Sequence, residues 1–559
     1  MDLEIPVGKR TKPYRFFERL PAILSYGAII LLVVLSIINP VIASIYLLII
    51  LLSMLIKAIG IAVHTILGQK VLERASRVNW SNRLNDLEAP NDAYSKHYGN
   101  HRGSYGYDQH KENLRLVAAA EEGFFPKPSE IYNALIMPAY NESLDVIEPA
   151  IKAVIDTTYD KKHLMLIFAY EERGGEPIEK VAKTLKKRYG KEFHSFNIVK
   201  HPKDLPNEVI GKGGNITYAG RWLKEYLEKK KISFSNVIVT TMDCDNRPHK
   251  SYFDYLTYEY IVREDRKHLA YQPACIFTNN IWDVPAPMRV LATGNSFWNV
   301  ISAMRPHVLR NFASHAQPMD ALVEMDFWSV RTIVEDGHQY WRSYFYFGGN
   351  YEVLPIHIPI YQDAVLSHTY VKTLKAQFVQ LRRWAYGASD IAYVATRIFT
   401  KKRNVPLWAG FTRLVRLVDA HITQASVPII VAFGGWVPLL VNSEAARSVA
   451  AHQLPDTVSF LQQIAMIGLF ITVFMSFKIL PPRPERYKRR RSVFMLLQWF
   501  LMPITSIAYS SMAAFSAQTQ LFLGKYLDKF DVTEKVTMET KDRQKAERSR
   551  SKGDQGDVS

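Results

Sequence analysis

Cysteine is almost missing from this chain. Cys244 and Cys275 are the only two in 559 residues, so no disulfide framework can brace the fold and a zinc cluster is excluded. Acidic residues are also in deficit: 53 Asp and Glu stand against 70 Lys and Arg, a formal net charge of +17. A balance this basic favours phosphate-rich partners, either nucleic acid or the anionic face of a membrane. No small-residue cleavage site follows the first apolar run, which argues against a removable signal peptide. The Gly-x-x-x-x-Gly-Lys-Ser/Thr spacing of a P-loop is missing as well, although Gly211-Lys-Gly-Gly-Asn215 has glycine and lysine together.

What the chain has in quantity is apolar length. Hydrophobic residues make up 48% of it. Residues 1–20 are basic and are followed by the run Pro21 to Ile38, a break at Asn39-Pro40, and a second run from Val41 through Lys57 to Leu67. Each run is about the 20 residues that a bilayer-spanning helix needs. Basic residues flank both outer ends, with Lys70, Arg74 and Arg77 after the second run, which places both ends in the cytoplasm. The pattern predicts a two-helix transmembrane hairpin over 21–67, with Lys57 snorkelling at the inner face. These runs decide the charge question for membrane lipids and against nucleic acid. Residues 68–130, charged and tyrosine-rich with little periodicity, predict a connector lying on the domain that follows.

At Ile131 the character changes. Ile131 to Ala139 reads as a buried strand, Val146 to Thr157 as a helix, His163 to Ala169 as a strand and Pro177 to Tyr189 as a helix. Strand, helix, strand, helix is the grammar of a doubly wound parallel sheet. Gly211 to Asn215 opens another helix over Ile216 to Lys229, and the β-branched strand from Asn236 stops abruptly at Asp243-Cys-Asp245. In open α/β sheets ligands sit beyond the carboxyl ends of the strands, where paired carboxylates hold a hard cation and its phosphates. Glycines let a backbone approach a ligand closely, and Lys212 adds a point charge suited to a diphosphate. An Asp-x-Asp alone is as readily a solvated turn. Its weight comes from company.

That company is Pro138-Ala-Tyr-Asn-Glu142, Lys212-Gly-Gly-Asn215, Asp243-Cys-Asp245, Val334-Glu335-Asp336 and Gln380-Leu-Arg-Arg-Trp384, in this order. Together they resemble the motifs of the membrane-embedded family 2 glycosyltransferases, of the cellulose synthase and hyaluronan synthase type. The resemblance implies an α/β fold, a GT-A (Rossmann-like, doubly wound) cytoplasmic domain between two α-helical transmembrane blocks of the cell (inner) membrane. On this reading the GT-A domain covers 131–370, interfacial helices with the Gln-x-x-Arg-Trp motif 371–418, a transmembrane block 419–524 and a charged, partly disordered tail 525–559. The implied activity is inverting transfer of a hexose from a nucleotide diphosphate sugar, a UDP-sugar foremost, to a growing glycan or lipid in cell-surface polysaccharide synthesis. Transfer of a single sugar to a membrane lipid, and a non-catalytic binding or export protein, are the rival readings.

The resemblance also assigns residues. Asp336 is the catalytic base, with Glu335 beside it and Gly337-His338 leaving space in front. Pro138, Tyr140, Glu142, Glu171, Lys212, Asp243, Gln380, Arg383 and Trp384 surround the donor, and Asp243 and Asp245 hold Mg²⁺ or Mn²⁺. The chemistry asks for the same parts: a clamp for the departing diphosphate, a base for the acceptor hydroxyl and an acceptor held in line. Gln380, Arg383 and Trp384 fall at i, i+3 and i+4 and so share one helix face. Two positions depart from the family. Glu171-Glu172 stand where many relatives carry an Asp that contacts uracil, and Val334 stands where polymerising relatives often have Thr. The stretch from Ile281 to Trp298 is expected, by analogy, around the acceptor path.

Downstream, Leu407 to Val418 is amphipathic and predicts a helix in the inner interface. Ala420 to Val441, broken by Pro428, and Val458 to Leu480 are further spanning stretches, with the densely basic Arg483 to Arg491 after them. Val493 to Leu523, interrupted by Pro503, is a fifth stretch: counted as a full crossing it puts the tail outside, and read as a broken or re-entrant element that turns back at Pro503 it keeps the tail on the cytoplasmic side.

Overall fold

The computed structural model describes residues 3–96, 103–443 and 449–527. The tail from 528 onward, with its Phe530 to Lys535 segment, lies outside them. The centre is one eight-stranded sheet: β1 (Tyr132–Ala139), β2 (Leu164–Glu171), β3 (Ser195–His201), β4 (Val237–Thr241), β5 (Arg247–Pro248), β6 (Leu269–Phe277), β7 (Ala316–Pro318) and β8 (Glu352–Gln362), in the order β3-β2-β1-β4-β7-β6-β8-β5. β3, β2, β1 and β4 are parallel neighbours. β7 runs antiparallel to both β4 and β6, and β5 antiparallel to β8. The sheet is therefore mixed, where the sequence grammar predicts a parallel one.

β1 is buried along almost its whole length because helices cover both faces, which is why it reads as a continuous apolar run rather than an alternation. Leu135 and Met137 join one core with Ile147, Ile151, Phe168 and Leu185, while Ala134 and Ile136 join the opposite core with Ile216, Leu223 and Leu227. Each fully buried Leu or Ile of this kind contributes about 1.5–3 kcal/mol. The connector is more ordered than its sequence predicts: it forms helices Trp80–Asp86, Pro90–Lys96 and Tyr107–Ala119. Trp80 stacks on Tyr255 at 3.7 Å between ring centroids, seating the connector on the sheet domain.

Among the described residues four helices are long and apolar enough to cross a membrane: Lys12–Ile38, Pro40–Ser76, Leu407–Val441 and Arg490–Leu523. Asn39 makes the predicted break and caps the second helix, its Oδ1 accepting from Val41 N at 2.9 Å. The helices run further than the hydrophobic stretches, starting at Lys12 and ending at Ser76. The interfacial and spanning stretches expected around Pro428 are one helix, Leu407–Phe433, with the proline inside it. A fifth long helix, Val449–Ile479, covers the expected Val458 to Leu480 stretch and packs along Pro40–Ser76.

The last apolar stretch is helical from Arg490 to Leu523 without a gap at Pro503, and passes through a 3₁₀ turn over Gln498–Leu501 and a π-helical turn over Ser506–Ser511. At one end Arg491 donates to Trp282 O. At the other, Arg15 donates to Leu521 O at 3.0 Å, to Phe522 O at 3.1 Å and to the Tyr526 hydroxyl at 3.0 Å. Glu18, wholly buried in the first helix, accepts from Arg15 and Tyr526 and pairs with Arg10. The start of the chain is pinned in turn, with Glu4 paired to the buried Arg342 at 3.1 Å and accepting from Ser329 Oγ at 2.6 Å.

Candidate active site

One cavity opens beyond the carboxyl ends of the parallel strands, and every residue expected at a catalytic, donor-binding or metal position lines it. Pro138, Tyr140 and Glu142 follow β1, where Glu142 accepts from the Tyr140 backbone N–H at 2.7 Å and tightens the turn. Glu171 ends β2. Asp243 and Asp245 lie just past β4. The Cys244 thiol between them donates to Pro138 O at 2.9 Å and ties the turn to the end of β1, and both carboxylates line the cavity. Asp245 is buried and accepts from the Asp363 backbone N–H at 3.1 Å.

Lys212 is the first residue of helix Lys212–Lys230, one turn earlier than the sequence predicts. Its Nζ lies 2.9 Å from Asp243 Oδ1 and 3.6 Å from Glu335 Oε1. Burial opposes its charge, but Asp243, Glu335 and Asp336 outweigh it and hold the ammonium well above the usual lysine range. The glycines after it have a different reason from the one expected. A Cβ on Gly213 would fall on the carbonyl oxygen of Ser329 and 3.2 Å from Glu335 Cβ, and one on Gly214 would sit 2.7 Å from Glu208 Oε2. They let the helix start pack against protein, which brings Lys212 beside the acidic pair.

Glu335 and Asp336 open helix Glu335–Tyr346, directly after a loop. Glu335 is buried and Asp336 half-buried at the cavity wall. Burial pushes both carboxyls above the usual range and Lys212 works against it. Asp336 raises Glu335 further, and Asp243 raises Asp336. His338 does not border the space in front of Asp336. It is buried, with Nδ1 at 2.6 Å from Asp390 Oδ1.

Gln380, Arg383 and Trp384 reach the cavity from helix Tyr370–Ala385. Gln380 is buried and accepts from Gln377 Nε2 at 3.1 Å, while Trp384 remains 39% exposed, with its ring 6.3 Å from Phe277. Residues 281–298 hold the basic segment after the fifth long helix: Trp282 Nε1 donates to Pro481 O at 3.0 Å, and Asp283 accepts from Arg486 at 2.6 Å and Tyr487 at 2.7 Å.

Arg173, Phe277 and Asp363 also line the cavity and were not assigned a role from the sequence. Asp363 carried a usable signal, since it directly follows the strand β8, as Asp243 follows β4. Asn215 donates to Ala169 O at 2.9 Å and ties the Lys212 helix to β2. Asp243 and Asp245 offer hard oxygen donors, and Mg²⁺ takes one or two carboxylates and fills its shell with phosphate and water. The pair fits such an ion. Among the described residues no three His, Cys, Asp or Glu side chains group to hold a metal alone, so a diphosphate would supply the other ligands.

No protein-family model matches this sequence, and no curated protein sequence matches it. Among solved structures it is similar to a mannosyltransferase from Pyrobaculum calidifontis in complex with GDP-Man and Mn²⁺, at 14% identity and a TM-score of 0.39, covering 76% of this chain and 99% of that one. It is also similar to residues 1–349 of S. aureus TarS. The complex with UDP gives 8% identity, the complex with UDP-GlcNAc 10%, both with a TM-score of 0.35 over 72% of this chain and 95% of that one.

Proposed function

We propose that this chain is an inverting, membrane-embedded glycosyltransferase of the GT-A type. It moves a sugar from a nucleotide diphosphate donor to a glycan or lipid acceptor at the cytoplasmic face of the cell membrane, in polysaccharide synthesis. The observation that carries this reading is the meeting of three chemistries in one cavity: the Asp243–Lys212–Asp245 cluster, the acidic pair Glu335 and Asp336, and the Gln380, Arg383, Trp384 face.

In this mechanism the diphosphate lies over the ends of β1 and β4, and Lys212 and Arg383 share its growing negative charge as the bond to the anomeric carbon breaks. A divalent cation on Asp243 and Asp245, when bound, supplies Lewis-acid stabilisation of the same leaving group. Asp336 takes the proton from the attacking acceptor hydroxyl. Its raised proton affinity suits it to this, because a base works best when its pKa approaches the working pH. Trp384 and Phe277 form an apolar wall against which a sugar ring rests. One base and one displacement invert the configuration.

Isolated membranes containing the protein, supplied with radiolabelled UDP- and GDP-sugars, test the reading directly. It expects incorporation into a gel-retained polymer; label in a single-sugar lipid would replace the polymer with a lipid acceptor. Absence of incorporation from every donor would overturn it.

A further inference from the structure

Apart from the reacting groups, a buried ionic hub joins two walls of the cavity. His201, the last residue of β3, is 3% exposed. Its Nδ1 lies 3.3 Å from Glu171 Oε2, and its Nε2 lies 3.0 Å from Glu208 Oε2. A neutral imidazole has one N–H and one lone pair, so one of these contacts would set a lone pair against a carboxylate. The doubly protonated ring donates to both. Its other neighbours are the edge-packed ring of Tyr218, 5.4 Å away, and Arg173, which donates to the same Glu171 oxygen at 2.6 Å. Burial opposes charge on His201, yet the two carboxylates outweigh it and push the imidazole up to about 9.

Both partners lead into the cavity. Glu171 lines it past β2, beside Arg173. Glu208 belongs to the 202–211 loop, whose Ile210 and Gly211 form cavity wall before Lys212. The same Glu208 oxygen sits against Gly214, and Val209 N donates to Val330 O at 2.8 Å, so the loop is seated on the start of the Lys212 helix and on the strand of chain before Glu335.

We propose that His201 is a positioning residue for the donor nucleotide: its imidazolium binds Glu171 and Glu208 at once and so locks the wall beyond β2 to the loop that delivers Lys212. The proposal rests on the glycosyl-transfer reading above. It assigns His201 to donor binding, with no part in proton transfer to or from the acceptor.

The test compares the full-length wild type with His201→Gln and Glu208→Gln in lipid nanodiscs. For His201→Gln the donor KM, and the Kd for UDP or GDP alone, should rise at least tenfold while kcat at saturating donor stays within threefold. In the wild type the donor KM should climb as pH passes about 9, a rise that His201→Gln lacks and that Glu208→Gln moves to lower pH. An unchanged donor KM, a loss confined to kcat, or an alkaline limb that persists in His201→Gln overturns the proposal. Thermal melting gives a readout free of activity. A histidine raised in the fold stabilises fully below about 6.5, its unfolded value, and loses that contribution as pH rises through about 9. The melting gap between wild type and His201→Gln should therefore close above pH 9, and a gap independent of pH would refute the charged hub. If no donor supports transfer, the function falls, and the melting gap still decides whether the hub exists.

Discussion

Replacing Asp336 with asparagine separates chemistry from folding. The amide keeps the shape and can still accept from the Gly337 N–H, which the carboxylate does at 2.7 Å. It removes the proton acceptor. General-base catalysis typically contributes 10²–10⁴-fold, or about 2.7–5.4 kcal/mol of transition-state stabilisation at about 1.36 kcal/mol per tenfold. Asp336→Asn should therefore lower transfer by about a hundredfold or more while donor-nucleotide affinity stays near normal.

Stability should move the other way. Burial, with Asp243 adding to it, raises the Asp336 carboxyl in the fold, so its ionised form is strained and the strain grows as pH rises through the folded value. At pH 8 the asparagine variant should melt at or above the wild-type temperature. The wild-type rate should fall on the acid side as the carboxyl protonates, and this limb should lie above the ordinary aspartate range. The assays are single-turnover transfer, nucleotide binding and thermal melting on one preparation. A variant that keeps more than a tenth of the rate would remove Asp336 from the mechanism. If Glu335→Gln alone abolished transfer, the base would be Glu335.

The remaining expectations concern the ion, the helix start and the membrane. Excess chelator should abolish turnover, and Asp245→Asn should raise the Mg²⁺ or Mn²⁺ concentration for half-maximal rate; full activity in chelator would end the metal assignment. Gly213→Ala should cost about 1–3 kcal/mol of stability, because its methyl meets the Ser329 carbonyl, and an unshifted melting curve would show that the loop yields. Single cysteines at Asn39 and Ser443 should react with an impermeant thiol reagent on intact cells and one at Arg489 should not, with labelling at Arg489 reversing the orientation.

The first half of the sheet was legible because its physics is local. β1, β2 and β4 are covered on both faces and show as apolar runs, each ending at polar residues that reach the cavity. The second half was not. β7 has three residues and β5 two, and their antiparallel places depend on partners far along the chain. Pro428 was read as a break, yet a proline removes one N–H and bends a helix without ending it when the surroundings absorb the change. The Asp-x-Asp, the acidic pair and the Gln-x-x-Arg-Trp face converge without any local sign of doing so. His201 and Glu208 meet Glu171 only through the folded loop, so nothing local marks these two in the sequence.

The Arg15, Glu18 and Tyr526 network sets an order of events during synthesis. Arg15 meets Leu521 across 506 positions, one of the longest closures the chain can make, and such contacts form late. Glu18 has Arg10 and Arg15 from the start, since both precede it in the chain, and the last helix adds Tyr526 to Glu18 and the Leu521 and Phe522 carbonyls to Arg15. An ionised group in or near lipid is costly unless paired, so the first hairpin can emerge with this charge already balanced and the C-terminal stretch closes on it last.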